Sequence, residues 1–168
     1  MATLDTITKR EILKCISQLF DPLGYMLPVT IRSRMLLQEV WRTRVSWDDR
    51  LSVEFVDLWE DLFLDLQECY NISIPRQLYF DPNNVSLHLF SDASNKAYGC
   101  AAYVVSEGVS SLITAKARVA PLKNLSVPKL ELTAVLLSTR LTNFIVETYK
   151  HIHFQQIQFW IDSKVFIS

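Results

Sequence analysis

Leu87-His88-Leu89-Phe90-Ser91-Asp92-Ala93-Ser94 is the stretch that decides how this chain is read. Apolar and polar residues alternate through Val85, Leu87 and Leu89, the period-two signature of a half-buried β-strand. The strand runs into an acidic residue, then a small one and a hydroxyl. A carboxylate at the end of a buried strand is costly unless a hydrogen-bond cap, an arginine or a metal ion compensates its charge. Two later segments present carboxylates in comparable places: Glu131, opening a long helix, and Asp162, ending another apolar strand.

Three strands are expected in close succession, over 85–92, 98–105 and 111–119. Asn95-Lys96 and Glu107-Gly108 supply the turns, so an antiparallel meander is the natural arrangement. Ser126 is placed to cap a helix with Pro128 in its first turn, running to about Tyr149. Its apolar positions include Leu130, Ala134, Leu137, Leu141, Phe144 and Ile145. Ile157 to Asp162 reads as a fourth strand, which the crossover helix brings in parallel to the first. Ligands of such sheets sit outside the carboxyl ends of adjacent parallel strands. Asp92 and Asp162 are therefore expected as neighbours, with Glu131 facing them from the first turn of the helix.

The upstream half has a different period. Thr8 to Phe20 reads as a helix, with Thr8 and Glu11 in capping-box spacing and Ile12, Ile16, Leu19 and Phe20 on one face. Asp21-Pro22-Leu23-Gly24 stops it. Pro28 opens a second helix with Ile31, Met35, Leu36 and Val40 on its apolar face. A third, from about Ser52 to Cys69, repeats Phe55, Leu58, Trp59, Leu62, Phe63 and Leu66 at helical spacing. The arginines at 32, 34, 42 and 44 and the acids of the third helix read as solvated helix faces. Pro75 and Asp81-Pro82-Asn83-Asn84 mark the boundary between a helical segment, 1–75, and a sheet-forming domain, 76–168. The fold class expected is α/β (α+β), a helical segment followed by a mixed sheet with a packed helix.

Bulk properties narrow the function. No run of about 18 apolar residues exists, so no membrane span is expected. Met1 to Arg10 lacks the apolar core of a signal peptide, so an intracellular location is expected. Three glycines leave no room for an extended phosphate-binding glycine loop. Cys15, Cys69 and Cys100 are far apart and form no CxxC pair, so they read as buried reduced thiols rather than a zinc site or disulfide framework. The net charge of −1 conceals an asymmetry: residues 1–75 carry a balance of −4 and residues 76–168 one of +3. Between Glu107 and Glu131 the charged side chains are Lys116, Arg118, Lys123 and Lys129, all basic. Such a stretch beside clustered carboxylates suits a phosphate-bearing partner. His151 and His153 read as solvated loop residues.

An oxygen-only, carboxylate-rich set such as Asp92, Glu131 and Asp162 suits magnesium or manganese. A pair of such ions clamps the attacking and leaving oxygens of a phosphodiester. Carboxylates gathered without a cation repel one another, which is why such clusters recruit metals.

The segments Leu89-Phe90-Ser91-Asp92-Ala93-Ser94, Leu130-Glu131-Leu132-Thr133-Ala134 and Phe159-Trp160-Ile161-Asp162-Ser163-Lys164-Val165 together resemble the ribonuclease H fold. That fold has an Asp on strand one, a Glu on the first helix and an Asp ending strand four. Upstream, Thr8-Lys9-Arg10-Glu11, Phe20-Asp21-Pro22-Leu23-Gly24, Pro28-Val29-Thr30-Ile31-Arg32 and Leu37-Gln38-Glu39-Val40-Trp41 resemble the Pol polyprotein of Bel–Pao LTR retrotransposons, in the segment joining reverse transcriptase to ribonuclease H. The two resemblances cover nearly the whole chain. They imply hydrolysis of the RNA strand of an RNA–DNA hybrid, with Asp92, Glu131 and Asp162 as catalytic metal ligands for Mg2+ or Mn2+. Lys116, Arg118 and Lys129 become candidate contacts to the nucleic-acid backbone, and Ser94 and Ser163, which follow the metal acids, candidate substrate contacts. The reverse transcriptase portion of the same polyprotein is the implied partner. The resemblance also implies a fourth Asp beyond residue 168, so the chain is expected to be an incomplete, internal piece.

Two other readings compete. One is a catalytically inactive retroelement remnant with a structural or nucleic-acid-binding role. The other is an aspartic peptidase of the Pao type. That chemistry needs Asp-Thr/Ser-Gly, whereas the chain offers Asp92-Ala93-Ser94 and Asp162-Ser163-Lys164, neither with the glycine.

Overall fold

A computed structural model describes residues 7–74, 77–78 and 80–162, the side chain of Tyr70 excepted. It is α/β, with four helices and a four-stranded mixed sheet. The chain divides into two compact units, residues 1–22 with 26–74, and residues 23–25 with 75–168.

The first unit is helical: α1 Lys9–Gln18, α2 Leu27–Arg42 and α3 Val53–Glu68, closed by a 3-10 turn over Cys69–Asn71. The capping box at the start of α1 is complete. Thr8 Oγ1 accepts from the Glu11 N–H at 3.3 Å, and the Glu11 carboxylate accepts from the Thr8 N–H at 3.0 Å. Both groups satisfy donors the first turn would otherwise leave unpaired. Ile12 and Ile16 of α1, Leu36 and Val40 of α2, and Trp59, Leu62 and Leu66 of α3 form the core. Lys9 is buried with them. Its ammonium donates to the Val45 carbonyl at 2.7 Å and sits 4.9 Å from the Trp41 ring centroid, so its charge is held by a dipole and a π-face. Arg32 pairs with Asp65 and Arg42 with Glu39, all largely exposed. Exposed pairs of this kind contribute little to stability.

The second unit holds the sheet. β1 Ser86–Ala93, β2 Ala97–Ser106 and β3 Val109–Val119 form an antiparallel meander. α4 Val127–Thr148 then returns the chain to β4 Gln156–Ile161, which pairs with β1 in parallel. The strand order is β3-β2-β1-β4. Glu107 and Gly108 take φ of 52° and 79° at the β2–β3 turn, the left-handed conformation such hairpins require. Residues 23–25 join this unit along β3: the Ala115 N–H donates to the Leu23 carbonyl at 2.8 Å, and the Tyr25 hydroxyl to the Leu112 carbonyl at 3.0 Å. This covers part of an edge strand whose polar groups would otherwise be unpaired.

The alternation in β1 sorts its side chains strictly. Leu87, Leu89 and Ser91 are buried, while Phe90 and Asp92 are exposed. The buried set faces α4, whose Leu137, Leu141 and Ile145 complete a core with Cys100, Ala102, Val104 and Ile113. Phe90 and Asp92 therefore open on the sheet face away from α4. Among the described residues, no helix is long and apolar enough to cross a membrane.

Candidate metal and nucleic-acid site

Asp92 and Asp162 occupy equivalent places on neighbouring strands. Ser91 and Ile161 are the last paired positions of β1 and β4, and each acid follows its partner by one residue. Both are exposed. Both line one open cavity of about 610 Å3, together with Phe90, Ser91, Gly99, Cys100, Ala101, Trp160 and Ile161. The backbone orients one of the carboxylates: Asp92 Oδ1 accepts from the Ala93 N–H at 2.7 Å. Gly99 is the β2 partner of Asp92. A Cβ there would lie 3.0 Å from the Lys116 carbonyl oxygen and 3.3 Å from the Ala117 Cβ, so the close β2–β3 approach favours glycine.

Glu131 is placed differently from the sequence expectation. α4 begins at Val127 with Pro128 at its second position, which makes Glu131 the fifth helical residue, in the second turn rather than the first. It is half-buried on α4, and the cavity lining does not include it. The reason is the helix register: Leu130, Ala134, Leu137 and Leu141 take the core-facing stripe, and Glu131 lies one step around from it. Among the described residues, no group of three or more His, Cys, Asp and Glu side chains is arranged to hold a metal ion. Asp92 and Asp162 are thus the acids the cavity brings together. The N-cap Ser126 makes no side-chain capping bond.

The basic residues share this end of the sheet but not this face. In register, Arg118 lies opposite Tyr98, and Tyr98 opposite Ala93, so the carboxyl end of β3 lies at the carboxyl end of β1. Lys116 pairs with Cys100 on the α4 side, and its ammonium is 5.3 Å from the Phe144 ring of α4. Arg118, two residues on, points to the same side. Lys129 is exposed in the first turn of α4. Ser94 serves the β1–β2 turn: its Oγ accepts from the Lys96 and Ala97 N–H groups, each at 3.2 Å. Ser163 lies outside the described residues. His151 and His153 are exposed.

The sequence reading missed the aromatic residues beside the acids. Phe90 and Trp160 are cross-strand partners with ring centroids 6.0 Å apart and planes 8° from parallel. The signal was present: Phe90-Ser91-Asp92 and Trp160-Ile161-Asp162 repeat an aromatic-x-Asp pattern, and period two puts ring and carboxylate on one face.

The three cysteines are free. Burial raises the thiol pKa of Cys15 and Cys69, and pushes that of Cys100 up to about 11. They remain protonated small hydrophobes.

A solved structure of a foamy viral protease-reverse transcriptase in complex with RNA/DNA hybrid is similar to this chain at 14% identity and a TM-score of 0.40. The likeness covers 81% of this chain and 19% of that one. No curated protein matches the sequence. The model of the Pao retrotransposon-like RNaseH-like domain matches residues 8–163, through the helical unit, the meander, α4 and β4 to Asp162. On that match, the chain belongs to the Pao retrotransposon-like RNaseH-like domain family.

Proposed function

We propose that the sheet-bearing unit hydrolyses the RNA strand of RNA–DNA hybrids in a magnesium- or manganese-dependent reaction, as part of a retrotransposon Pol polyprotein that includes a reverse transcriptase. The observation that carries this reading is the placement of Asp92 and Asp162 side by side at the ends of parallel strands, in one solvent-open cavity. Magnesium is commonly held by one or two carboxylates and takes its remaining ligands from water and substrate phosphates. The pair fits one such ion, and Glu131 of α4 is the candidate for a further carboxylate. When bound, the ion supplies Lewis acidity at the phosphate.

The rest of the work falls to the chain. The β1–β4 ladder, whose last pair is Ser91 and Ile161, sets the backbone of the two acids side by side, and the Ala93 N–H orients the Asp92 carboxylate. Lys116, Arg118 and Lys129, at the same end of the sheet on the α4 side, attract the sugar-phosphate backbone, a salt-sensitive contribution without sequence preference. A duplex laid across the strand ends reaches both sides of the sheet.

The test is cleavage of a hybrid with labelled RNA, with and without Mg2+, by the native chain and by Asp92→Asn and Asp162→Asn. Magnesium-dependent loss of the RNA strand that either substitution abolishes supports the proposal. Cleavage that survives both substitutions removes the acids from the site. An intact hybrid that the chain nevertheless binds favours the non-catalytic, nucleic-acid-binding role.

A further inference from the structure

We propose that Leu23 and Tyr25 select the β2–β3 register, and that this choice keeps Lys116 and Arg118 off the sheet face of Asp92 and Asp162. The consequence for the acids rests on their reading as a cation site; the register itself does not.

β3 carries one residue more than β2 has partners for. Leu112 lies opposite Tyr103 and Thr114 opposite Ala102, which leaves Ile113 as an extra residue between them. Two β3 residues thus face one on β2, the count that defines a β-bulge. Ile113 and Thr114 are both buried, where strict alternation would bury only one of the two. Past the bulge, Ala115 pairs with Ala101, Lys116 with Cys100 and Arg118 with Tyr98. Cys100 belongs to the core that α4 covers, so Lys116 takes that side.

The same sequence has a second register. Without the bulge, the pairing of Leu112 with Tyr103 would continue one for one. Ile113 would then meet Ala102, Ala115 would meet Cys100, Lys116 would meet Gly99 and Arg118 would meet Ala97. Ile113 would keep its place on the core side, and every later side chain would change face. Gly99 is the β2 partner of Asp92. Lys116 would stand on the face of Asp92, two strands and about 10 Å of backbone away. Its ammonium would compete with a cation for the carboxylate.

The segment 23–25, part of the sheet-bearing unit, bonds to the bulged form alone. In an antiparallel ladder, residues alternate between bonding across to their partner and pointing their N–H and C=O outward. The Ala115 N–H points outward, since it donates to the Leu23 carbonyl at 2.8 Å. Positions opposite Ala101 and Gly99 are therefore the outward ones, and a residue opposite Cys100 bonds inward. The bond from the Ala120 N–H to the Lys96 carbonyl has the same parity. In the second register Ala115 would lie opposite Cys100, its N–H would turn into the ladder, and the Leu23 carbonyl would lose it. Tyr25 reads the bulge itself: its hydroxyl is 3.0 Å from the Leu112 carbonyl and 3.4 Å from that of Ile113. Gly24, with φ of 78°, makes the turn that lets both neighbours reach β3.

Cross-strand contacts in nuclear magnetic resonance spectra of the 168-residue chain test this. The native chain is expected to show Lys116 against Cys100 alone, with slow exchange of the Ala115 amide. In Gly24→Val/Tyr25→Phe the turn is strained and the hydroxyl is gone, so both bonds to β3 are lost. The balance of registers should shift by about thirtyfold, the scale of two hydrogen bonds, and bring in contacts between Lys116 and Gly99. Adding Ala115→Pro removes an N–H that the ladder uses only in the second register, so contact with Cys100 alone should return. A double variant that keeps the Cys100 contact alone overturns the proposal, because the segment then covers the edge without choosing the register. Gly99 contacts that persist with Ala115→Pro also overturn it. On the native chain, Lys116 against Gly99, or an Ala115 amide that exchanges as fast as an open edge, overturns it even if no variant folds. No metal enters these measurements, so their failure leaves the cation site standing, and a chain that binds no Mg2+ leaves the register standing.

Discussion

Asp92 and Asp162 each extend one residue past a paired position, Ser91 on β1 and Ile161 on β4, at the same end of a parallel ladder. The ladder brings two like charges into one cavity. Both side chains are exposed and make no core contact, so Asp92→Asn and Asp162→Asn are expected to change unfolding stability by no more than about 0.5 kcal/mol. The same substitutions should remove the rise in melting temperature that saturating Mg2+ gives the native chain. Melting curves of the three proteins with and without Mg2+ check both halves.

Leu89 is fully buried, three residues before Asp92 and on the opposite face of β1, within the core that α4 covers. Leu89→Ala should cost about 2–5 kcal/mol, the transfer of the lost methyl groups plus the cavity they leave. Urea unfolding of the native chain and the variant, followed by hydrogen exchange of the β1 and β2 amides, reads this loss in the sheet-bearing unit. A cost below about 1 kcal/mol would mean that α4 does not seal this face.

Thr8 caps α1 by a reciprocal bond with Glu11. Thr8→Ala removes the acceptor for the Glu11 N–H and should cost about 1 kcal/mol. The far-UV circular dichroism of the helices, followed through urea unfolding, gives the measurement. Thr8→Ser keeps the hydroxyl and should restore most of the loss.

Cys100 gives a pH signature. Its folded thiol pKa of about 11 lies above the ordinary value of 9.0, so folding favours the neutral form. The corresponding stability is fully present below pH 9 and is lost as pH rises through 11, because the unfolded chain ionises first. Two units correspond to about 3 kcal/mol at most. Between pH 8 and 10.5 the native chain should lose more stability than Cys100→Ala, as read by urea unfolding of both at each pH. Parallel losses would show that Cys100 ionises no less easily in the folded chain than in the unfolded one.

Much of the sheet was legible because period two is a local property. Val85, Leu87 and Leu89 marked β1, Asn95-Lys96 and Glu107-Gly108 marked the turns, and the helical repeat of Leu130, Ala134, Leu137 and Leu141 forced a crossover that makes β4 parallel. Side-by-side placement of Asp92 and Asp162 follows from that topology. The position of Glu131 does not, since it depends on where α4 starts and how the helix is rolled on the sheet. Pro128 at the second helical position and Leu130 in the core settle both, and the result is a second-turn residue outside the cavity lining.

The basic residues show the same limit. Lys116 and Arg118 were visible as a charge cluster, but their side of the sheet depends on the β2–β3 register, which shifts at Ala102/Tyr103. A shift of one residue exchanges the two faces. Composition alone cannot fix that parity, so the sequence could not show that Lys116 would rest against Phe144 rather than beside the acids. Phe90 and Trp160 were overlooked for a different reason: an aromatic residue at a strand position reads first as core, and only the pairing shows that these two face outward.

The central claim, that Asp92 and Asp162 share a divalent cation, is tested most directly by anomalous diffraction from a crystal of the chain grown with Mn2+. The account predicts a manganese peak with oxygen atoms of both carboxylates at coordination distance, lost in Asp92→Asn. Full manganese occupancy elsewhere on the molecule, with none between these two acids, would contradict it.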